Sequence, residues 1–232
     1  MKAPYIIFEG NDGSGKSTTM KAVAHELSER FRSFNPILTQ HPGSTPLGRH
    51  LRQLVKFPAK IDPAIVMDDL SRQMLYMVDT VSFIKTLLQP NLDAGTPVFA
   101  DRSSFISALV YGVADGLTLS DIARLVEVIM PPKADRLYIL QCPCDVGKSR
   151  IAAGRNELDH YDKKPSEFAQ KIEKIYASLV TSSAQQTMLV SRAVSIDDVI
   201  YIDANRPLDA VVSEIVSDAT SMIKDRYSFI PQ

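Results

Sequence analysis

A glycine-rich segment near the N-terminus separates a short apolar run from an amphipathic stretch. It reads Gly-Asn-Asp-Gly-Ser-Gly-Lys-Ser over residues 10–17, directly after the apolar residues 5–8. Residues 17–31 follow with apolar side chains at helical spacing. A strand, a loop of this glycine and lysine pattern and a helix, in that order, are typical of a phosphate-binding loop. The sequence therefore predicts a strand and a helix that hold a nucleoside triphosphate at their junction.

Further apolar runs and helical stretches alternate along the rest of the chain. Short apolar runs bounded by turn residues are typical of buried strands. Four more of them cover residues 37–39, 97–100, 136–140 and 199–202, and stretches with helical spacing cover residues 64–92, 120–129 and 208–223. This alternation predicts a doubly wound α/β fold of the P-loop type, with about five parallel strands and helices on both faces. A length of 232 residues fits one such domain over residues 1–232.

Charge and cysteine content narrow the class of protein. The chain carries 26 Lys and Arg against 27 Asp and Glu, and this formal net charge of −1 argues against broad nucleic-acid binding. No apolar run approaches the length of a membrane span, and the N-terminal run is too short for a signal peptide. Cys142 and Cys144 match neither a redox pair nor a zinc set, which favours reduced thiols. We expect a cytoplasmic protein with no nucleic-acid or membrane partner.

The glycine-rich loop predicts contacts with a nucleotide. Its backbone N–H groups are expected to surround phosphate oxygens, helped by the dipole of the following helix. Lys16 is expected to reach the β and γ phosphates, and Ser17 to bind Mg²⁺. Because the chain lacks an Asn-Lys-x-Asp guanine signature, we expect ATP rather than GTP. The predicted ATP-binding residues of the loop are Gly10, Asn11, Asp12, Gly13, Ser14, Gly15, Lys16, Ser17 and Thr18.

The loop alone does not name a reaction. A kinase of a nucleoside or another small metabolite would carry the same loop, and so would a non-catalytic ATP-binding module. Asp101 and Arg102, at the end of the third predicted strand, favour phosphoryl transfer to a second anion. An arginine there can hold an acceptor phosphate with two parallel hydrogen bonds, and the acid beside it can hold Mg²⁺. The other two classes stay open at this stage.

Five segments, in order, resemble those of the thymidylate kinase family. The first is Phe-Glu-Gly-Asn-Asp-Gly-Ser-Gly-Lys-Ser-Thr over residues 8–18, and the second is Thr-Gln-His-Pro-Gly-Ser-Thr-Pro-Leu over residues 39–47. The Asp-Arg pair at 101–102, an arginine-containing stretch at 150–159 and Tyr-Ile-Asp-Ala at 201–204 follow. These segments span most of residues 5–206. The chain is similar to a divergent member of the family, such as a viral enzyme.

The resemblance implies a nucleoside monophosphate kinase that transfers the γ-phosphate of ATP to dTMP. It implies Mg²⁺ as the cofactor and a homodimer as the assembly. It also places Asp12 near the 3′-hydroxyl of the deoxyribose, Arg102 on the acceptor phosphate and Asp101 on the metal. Glu9, one residue before the loop, would help the same sugar or the metal, although a buried acid satisfied by the backbone is an equal reading.

A lid is expected over about residues 150–164. In one branch of the family an arginine follows the acid of the loop, but here that position is Gly13, so positive charge must come from elsewhere. By resemblance, Arg150 would stack on adenine near Ala204, and Arg155 would close on the transferred phosphate. The catalytic residues implied are Lys16, Asp12, Arg102, Arg150 and Arg155.

The pocket for the acceptor base departs from the family pattern. Tyr76 keeps the aromatic surface that would stack on the base, but Thr80 stands where the family has an arginine. Ser107 is the residue expected to reach N3 of a pyrimidine, and Pro42 is expected beside the acceptor. Two explanations stay open: drift around the same substrate, or a relaxed choice of base that admits dUMP or a 5-substituted dUMP. The predicted acceptor-binding residues are Asp12, Pro42, Tyr76, Thr80, Arg102 and Ser107.

Two regions lie outside these assignments. Residues 181–197 are Ser- and Gln-rich and longer than the corresponding link in the family, which predicts a surface insertion without a catalytic part. The apolar helices near residues 64–92 and 119–130 would either cover the sheet or bury against a second subunit.

Overall fold

The five predicted strands form one parallel sheet. A computed structural model describes residues 3–127, 129–154 and 157–227. The strands are β1 (Tyr5–Glu9), β2 (Ile37–Gln40), β3 (Val98–Asp101), β4 (Arg136–Gln141) and β5 (Val199–Asp203). Their order across the sheet is β2-β3-β1-β4-β5, and every neighbouring pair is parallel. The predicted fold class, a doubly wound α/β sheet, is confirmed.

Helices connect the strands and cover both faces of the sheet. Their bounds are α1 (Lys16–Arg30), α2 (Pro46–Lys56), α3 (Pro58–Ile61), α4 (Asp69–Phe83), α5 (Gln89–Asp93), α6 (Ser104–Asp115), α7 (Leu119–Glu127), α8 (Cys144–Gly154), α9 (Ser166–Ala177), α10 (Ala184–Val190) and α11 (Leu208–Arg226). Within the described part of the chain, no helix is long and apolar enough to cross a membrane.

Alternate residues of the central strand separate two apolar cores. Ile6 and Phe8 pack against α1 and α11 on one face of the sheet. Tyr5 and Ile7 belong to the core of the other face, with residues of α4, α6, α7 and α9. This period of two is what a strand covered on both faces requires, because successive side chains point to opposite sides.

The register brings two predicted motifs together. β1 and β3 are neighbours, and Phe8 lies opposite Asp101. Since all strands run the same way, the loop that follows β1 and the Asp-Arg pair that ends β3 lie at the same edge of the sheet. This edge carries the candidate site.

The helix predicted over residues 64–92 is interrupted. α4 begins only after Asp68, whose side chain accepts a hydrogen bond from the backbone N–H of Ser71 at 2.9 Å. At its other end the helix widens into a π-helical turn, Ile84–Leu88, just before Pro90. A proline ring clashes with the carbonyl four residues earlier in a regular α-helix, and the wider turn moves that carbonyl away.

The prediction of a surface insertion at residues 181–197 needs correction. The segment forms α10 and a short 3-10 turn, Ile196–Asp198. Leu189, Val190 and Val194 of this segment are buried in the same core as α7. Leu189 and Val190 end α10, and Val194 forms an isolated bridge with Ala134, so this Ser- and Gln-rich stretch contributes to the core as well as to the surface.

Candidate active site

A cavity of about 520 Å³ opens at the carboxyl ends of β1 and β3. Most of the predicted site residues line it, namely Asp12, Gly13, Gly15, Lys16, Ser17, Thr18, Pro42, Tyr76, Asp101, Arg102, Ser107 and Arg150. Gly10, Asn11, Ser14, Thr80 and Ala204 are described but do not line it. Arg155 lies outside the described residues.

The loop adopts a conformation that requires glycine. Gly10 and Gly13 have φ values of +140° and +78°, in the left-handed region. A Cβ atom on Gly10 would lie 2.1 Å from the carbonyl oxygen of Leu140, and one on Gly13 would lie 2.1 Å from that of Gly147. The loop is thus packed directly against the end of β4 and against α8. The predicted strand, loop and helix are present in the expected order.

Lys16 is buried beneath the loop. Its ammonium donates to the carbonyl oxygens of Gly10 at 3.0 Å and Asn11 at 2.8 Å. Burial lowers the pKa of Lys16 to about 8, helped by the nearby charge of Arg102 and opposed by the neighbouring carboxylates. The lysine is therefore held in position by the backbone of the loop that it serves.

Ser17 and Asp101 form a pair of oxygen ligands. The Ser17 hydroxyl donates a hydrogen bond to the Asp101 carboxylate. A hydroxyl and a carboxylate side by side, at the mouth of a phosphate loop, are the hard oxygen donors that Mg²⁺ prefers. The donor set fits this ion.

Arg102 is the centre of a cluster of polar side chains at the end of β3. It is the only described non-glycine residue with a positive φ, 72°, and its backbone N–H donates to Phe8 at 2.9 Å. This turn at the strand end sends the side chain back toward the loop. Its guanidinium contacts Asp12 at 2.8 Å and Glu9 at 3.3 Å. These two ion pairs join the end of β3 to the end of β1 and to the glycine-rich loop.

Two tyrosines bridge Arg102 to its two acids, and the sequence analysis missed both. Tyr176 donates to Glu9 at 2.7 Å and accepts from Arg102 at 3.1 Å. Tyr111 donates to Asp12 at 3.2 Å and accepts from Arg102 at 3.0 Å. Burial raises the pKa of both phenols, so they stay protonated and able to donate.

The two tyrosines differ in how well the sequence signals them. Tyr111 follows Ser107 by four residues on α6, so helical spacing alone places it on the same face as a predicted site residue. Tyr176 lies on α9, more than seventy residues after Arg102, and no local pattern connects the two. Only the packing of α9 against the sheet places Tyr176 beside Arg102.

Glu9 is fully buried and accepts hydrogen bonds from four donors among the described residues. Besides Arg102 and Tyr176, it accepts from the backbone N–H of Ser103 at 2.8 Å and from the Ser107 hydroxyl at 2.9 Å. Glu9 does not line the cavity. Of the two readings offered by the sequence, the geometry favours a buried acid that orders its neighbours.

One wall of the cavity contains an arginine that the sequence analysis missed. Arg52 of α2 lines the cavity and donates to the carbonyl oxygen of Pro42 at 2.8 Å. Burial lowers its pKa. Its only signal in the sequence is a position six residues after Pro46, the start of a helix that follows a predicted site loop. Tyr76, as predicted, lines the same wall.

Thr80 is directed away from this wall. Its hydroxyl donates to the carbonyl oxygen of Tyr76 at 2.8 Å, within α4, and the residue is buried. A hydroxyl engaged by the preceding turn of its own helix cannot also reach a ligand in the cavity. The prediction that Thr80 belongs to the acceptor pocket is therefore corrected: Thr80 does not line the cavity, and its hydroxyl is engaged within α4.

The lid segment is tied to both sides of the cavity. Arg150 donates to the carbonyl oxygens of Gly13 at 3.5 Å and Ala204 at 3.2 Å, so its guanidinium lies between the loop and the turn after β5. Beyond the undescribed residues, the Lys56 ammonium of α2 pairs with Asp159. Burial opposes ionisation of Asp159, but Lys56 keeps the pKa of this carboxyl below its ordinary value.

The chain matches known proteins over almost its whole length. The family model for thymidylate kinases matches residues 8–215. The chain is 31% identical over 197 residues to the thymidylate kinase of Caldicellulosiruptor saccharolyticus, covering 81% of this chain and 91% of that protein. It is 27% identical over 220 residues to that of Pseudomonas fluorescens, covering 94% and 99%. With a phosphate loop, an Asp-Arg strand end and an aromatic wall around one cavity, the chain belongs to the thymidylate kinase family.

Proposed function

We propose that the protein transfers the γ-phosphoryl group of ATP to dTMP, giving dTDP and ADP. One observation carries this proposal: a single cavity is lined by Lys16 and Ser17 and also by Arg102 and Tyr76. The first pair suits a triphosphate, and the second suits the phosphate and the base of a nucleotide. A cavity that admits two phosphorylated ligands end to end is what transfer between them needs.

Positioning and charge neutralisation carry the reaction. An oxygen of the acceptor phosphate forms a bond to the γ-phosphorus while the bond from that phosphorus to the β–γ bridging oxygen breaks. Lys16 stabilises the charge on the donor side, and Arg102 holds the acceptor phosphate in line. Mg²⁺, held by Ser17 and Asp101, would neutralise charge on the donor phosphates. Arg150 and the undescribed Arg155 would supply further charge from the lid.

Asp12 is suited to orient the acceptor sugar. Its carboxylate lies 2.8 Å from Arg102 and 3.2 Å from the Tyr111 hydroxyl, at the wall of the cavity. An acid inside a phosphate loop is repelled by the donor phosphates unless cations and hydroxyls surround it. The arginine and tyrosine provide this compensation and leave the acid able to accept from a sugar hydroxyl.

We also propose a base site with room for dUMP and 5-substituted dUMP. Thr80 replaces a charged donor and faces its own helix, so the base is held by stacking on Tyr76 and by Ser107. Loss of a charged hydrogen bond weakens discrimination among related bases.

The assembly we propose is a homodimer formed through α4. Leu70, Met74, Val78 and Val81 are exposed apolar side chains at positions that share one helix face. An apolar stripe of this length on a helix is typical of a surface covered by another chain.

An ADP-release assay with ATP and Mg²⁺ tests the activity. The acceptors are dTMP, dUMP, 5-hydroxymethyl-dUMP, dCMP, dGMP, dAMP and the matching nucleosides. We expect turnover of the thymine and uracil monophosphates, and loss of at least a hundredfold in kcat/KM in Arg102→Ala. Arg192→Ala, at an exposed arginine whose guanidinium contacts the Glu127 carbonyl, is the matched control. Turnover of nucleosides alone would indicate the nucleoside kinase, and ATP binding without transfer would indicate the non-catalytic module.

A further inference from the structure

The two oxygens of the buried Glu9 carboxylate face different parts of the site. One oxygen accepts from the backbone N–H of Ser103 at 2.8 Å and from the Ser107 hydroxyl at 2.9 Å. The other accepts from Tyr176 and Arg102. Glu9 thus joins Arg102 to Ser107, which both line the cavity, although Glu9 itself does not line it.

The bond from Ser107 to Glu9 has one possible direction. A carboxylate in an ion pair with arginine presents only acceptors, so the serine must donate its single hydroxyl hydrogen to it. Hydrogen bonds to a charged acceptor are also stronger than neutral ones, which keeps this hydrogen in place. The hydroxyl oxygen of Ser107 retains its lone pairs, and the residue lines the cavity.

The pyrimidine bases differ in what they present at N3. Thymine and uracil carry a hydrogen there and donate, whereas the N3 atom of cytosine accepts. An oxygen that can only accept forms a hydrogen bond with N3–H of thymine or uracil. It forms none with cytosine, because its own lone pairs would face the lone pair of the cytosine N3 atom. A polar group left unpaired in a closed site carries the full cost of its lost hydration.

We infer that Glu9 is a positioning residue that sets Ser107 as a hydrogen-bond acceptor, so that the site selects pyrimidine nucleotides with an N3–H against cytosine nucleotides. The inference rests on the proposed function, because it concerns the acceptor of that reaction. It assigns the base choice to a buried acid that the ligand does not touch. It also explains how the site discriminates although Thr80 offers no donor to the base.

The first experiment measures kcat/KM for dTMP, dUMP and dCMP in the wild type and in variants of Ser107. We expect the wild type to prefer dTMP over dCMP on the order of a hundredfold. Ser107→Ala should lower kcat/KM for dTMP and dUMP about tenfold and raise that for dCMP, because it removes the lone pairs that N3 of cytosine would face. Ser107→Thr, which keeps a hydroxyl, should restore the preference. Ser28→Ala, at an exposed helical serine that donates to a backbone carbonyl, is the control.

The second experiment tests Glu9 through the ratio of two substrates. Glu9→Ala frees the Ser107 hydroxyl to rotate and donate, so kcat/KM for dCMP relative to dTMP should rise about tenfold. Glu9→Ala also removes an ion pair that positions Arg102. Because dTMP and dCMP carry identical phosphates, this second effect cancels in the ratio of their kcat/KM values. A ratio equal to that of the wild type would overturn the inference.

A third measurement needs no variant. 5-Fluoro-dUMP has a more acidic N3–H than dUMP, and its ionised base presents an acceptor at N3. We expect its kcat/KM to fall at a lower pH than that of dUMP in the wild type, and the two profiles to coincide in Ser107→Ala. Coinciding profiles in the wild type would contradict the inference while leaving the kinase activity intact. Absence of turnover with every nucleoside monophosphate would instead contradict the proposed function.

Discussion

The titration of Lys16 in the phosphate loop should make kcat/KM for ATP depend on pH. Lys16 has a pKa lowered to about 8 by burial, so the free enzyme loses this charge as the pH rises through that value. We expect kcat/KM for ATP to fall about tenfold per pH unit above about pH 8, because the neutral amine does not attract phosphate. At saturating ATP, the polyanion favours the charged lysine, so kcat should hold to higher pH.

The measurement is a pair of pH profiles, one at low and one at saturating ATP. Lys16→Arg is the control, since a guanidinium stays charged over this range and its residual activity should lack the alkaline limb. A wild-type kcat/KM that stays flat to well above pH 9 would show that the lysine does not titrate here.

A second residue-level prediction concerns the hydroxyl of Tyr176. Tyr176→Phe keeps the buried ring but removes the donor to Glu9 and the acceptor for Arg102. We expect KM for dTMP to rise about fivefold with a smaller change in kcat, and stability to fall by about 1–3 kcal/mol because a buried carboxylate loses a donor. Steady-state kinetics and thermal unfolding measure the two effects.

The matched control is Tyr138→Phe. Tyr138 is also fully buried and donates to a carboxylate at 2.6 Å, but that carboxylate is Asp218, which is not part of the cluster of Glu9 and Arg102. It should lose a similar amount of stability and keep the wild-type KM for dTMP. An equal rise in KM in both variants would mean that the effect of Tyr176 is general loosening of the fold.

At the scale of elements, the lid segment and α2 are joined by an ion pair. Lys56 and Asp159 are both largely buried, whereas the neighbouring pair of Lys60 and Glu157 is exposed. We expect Lys56→Met to raise KM for dTMP several-fold and to destabilise the protein by about 1–3 kcal/mol, because Asp159 keeps its burial and loses its cation. ATP hydrolysis without an acceptor should increase, since a looser lid admits water.

Lys60→Met provides the comparison, because exposed ion pairs contribute little to stability. Acceptor kinetics, background hydrolysis and thermal unfolding are measured on both variants. If the two variants behave alike, the pair between Lys56 and Asp159 has no role in closing the lid.

The elements themselves were predicted with different success. The five strands and α1 and α11 lie within a few residues of their predicted bounds, because each has a clear period and flanking turn residues. The stretch over residues 64–92 keeps one apolar period throughout, but a cap at Asp68 and the ring of Pro90 divide it. Local hydrogen bonding, which periodicity does not report, decided those boundaries.

At the scale of the whole molecule, the exposed stripe of α4 predicts the assembly. Met74 is 54% exposed and lies between Leu70 and Val78 on the same face. Met74→Asp places a charge in the middle of that surface and should convert a dimer into monomers, because a buried unpaired charge is costly. Sedimentation velocity of the wild type and the variant measures this directly.

Met188→Asp is the control for that experiment. Met188 is 61% exposed on α10 and lies outside the stripe. This variant should sediment like the wild type. A monomeric wild type, or an unchanged dimer in Met74→Asp, would contradict the proposed interface.

The sequence by itself determined the class of fold, the phosphate loop and most of the residues around the cavity. Hydrophobic periodicity and turn residues are local properties of the sequence. A strand, a glycine-rich loop and the first turn of a helix can therefore be predicted from a stretch of about twenty residues. Asp101 and Arg102 could be predicted as site residues because they end a parallel strand, and ligands bind at the carboxyl ends of such strands. Tyr76 and Ser107 could be predicted as site residues because their segments resemble those of the family.

Only the tertiary structure decided which groups these residues contact. Glu9, Arg102, Tyr111 and Tyr176 are separated by up to 167 residues. Their hydrogen bonds exist because parallel β1 and β3 are neighbours and because α9 packs against α6 and β4. The orientation of Thr80 and the burial of Val190 are likewise consequences of packing. Hydrogen bonds and apolar contacts act over a few ångströms in space, and distance along the chain does not predict that proximity.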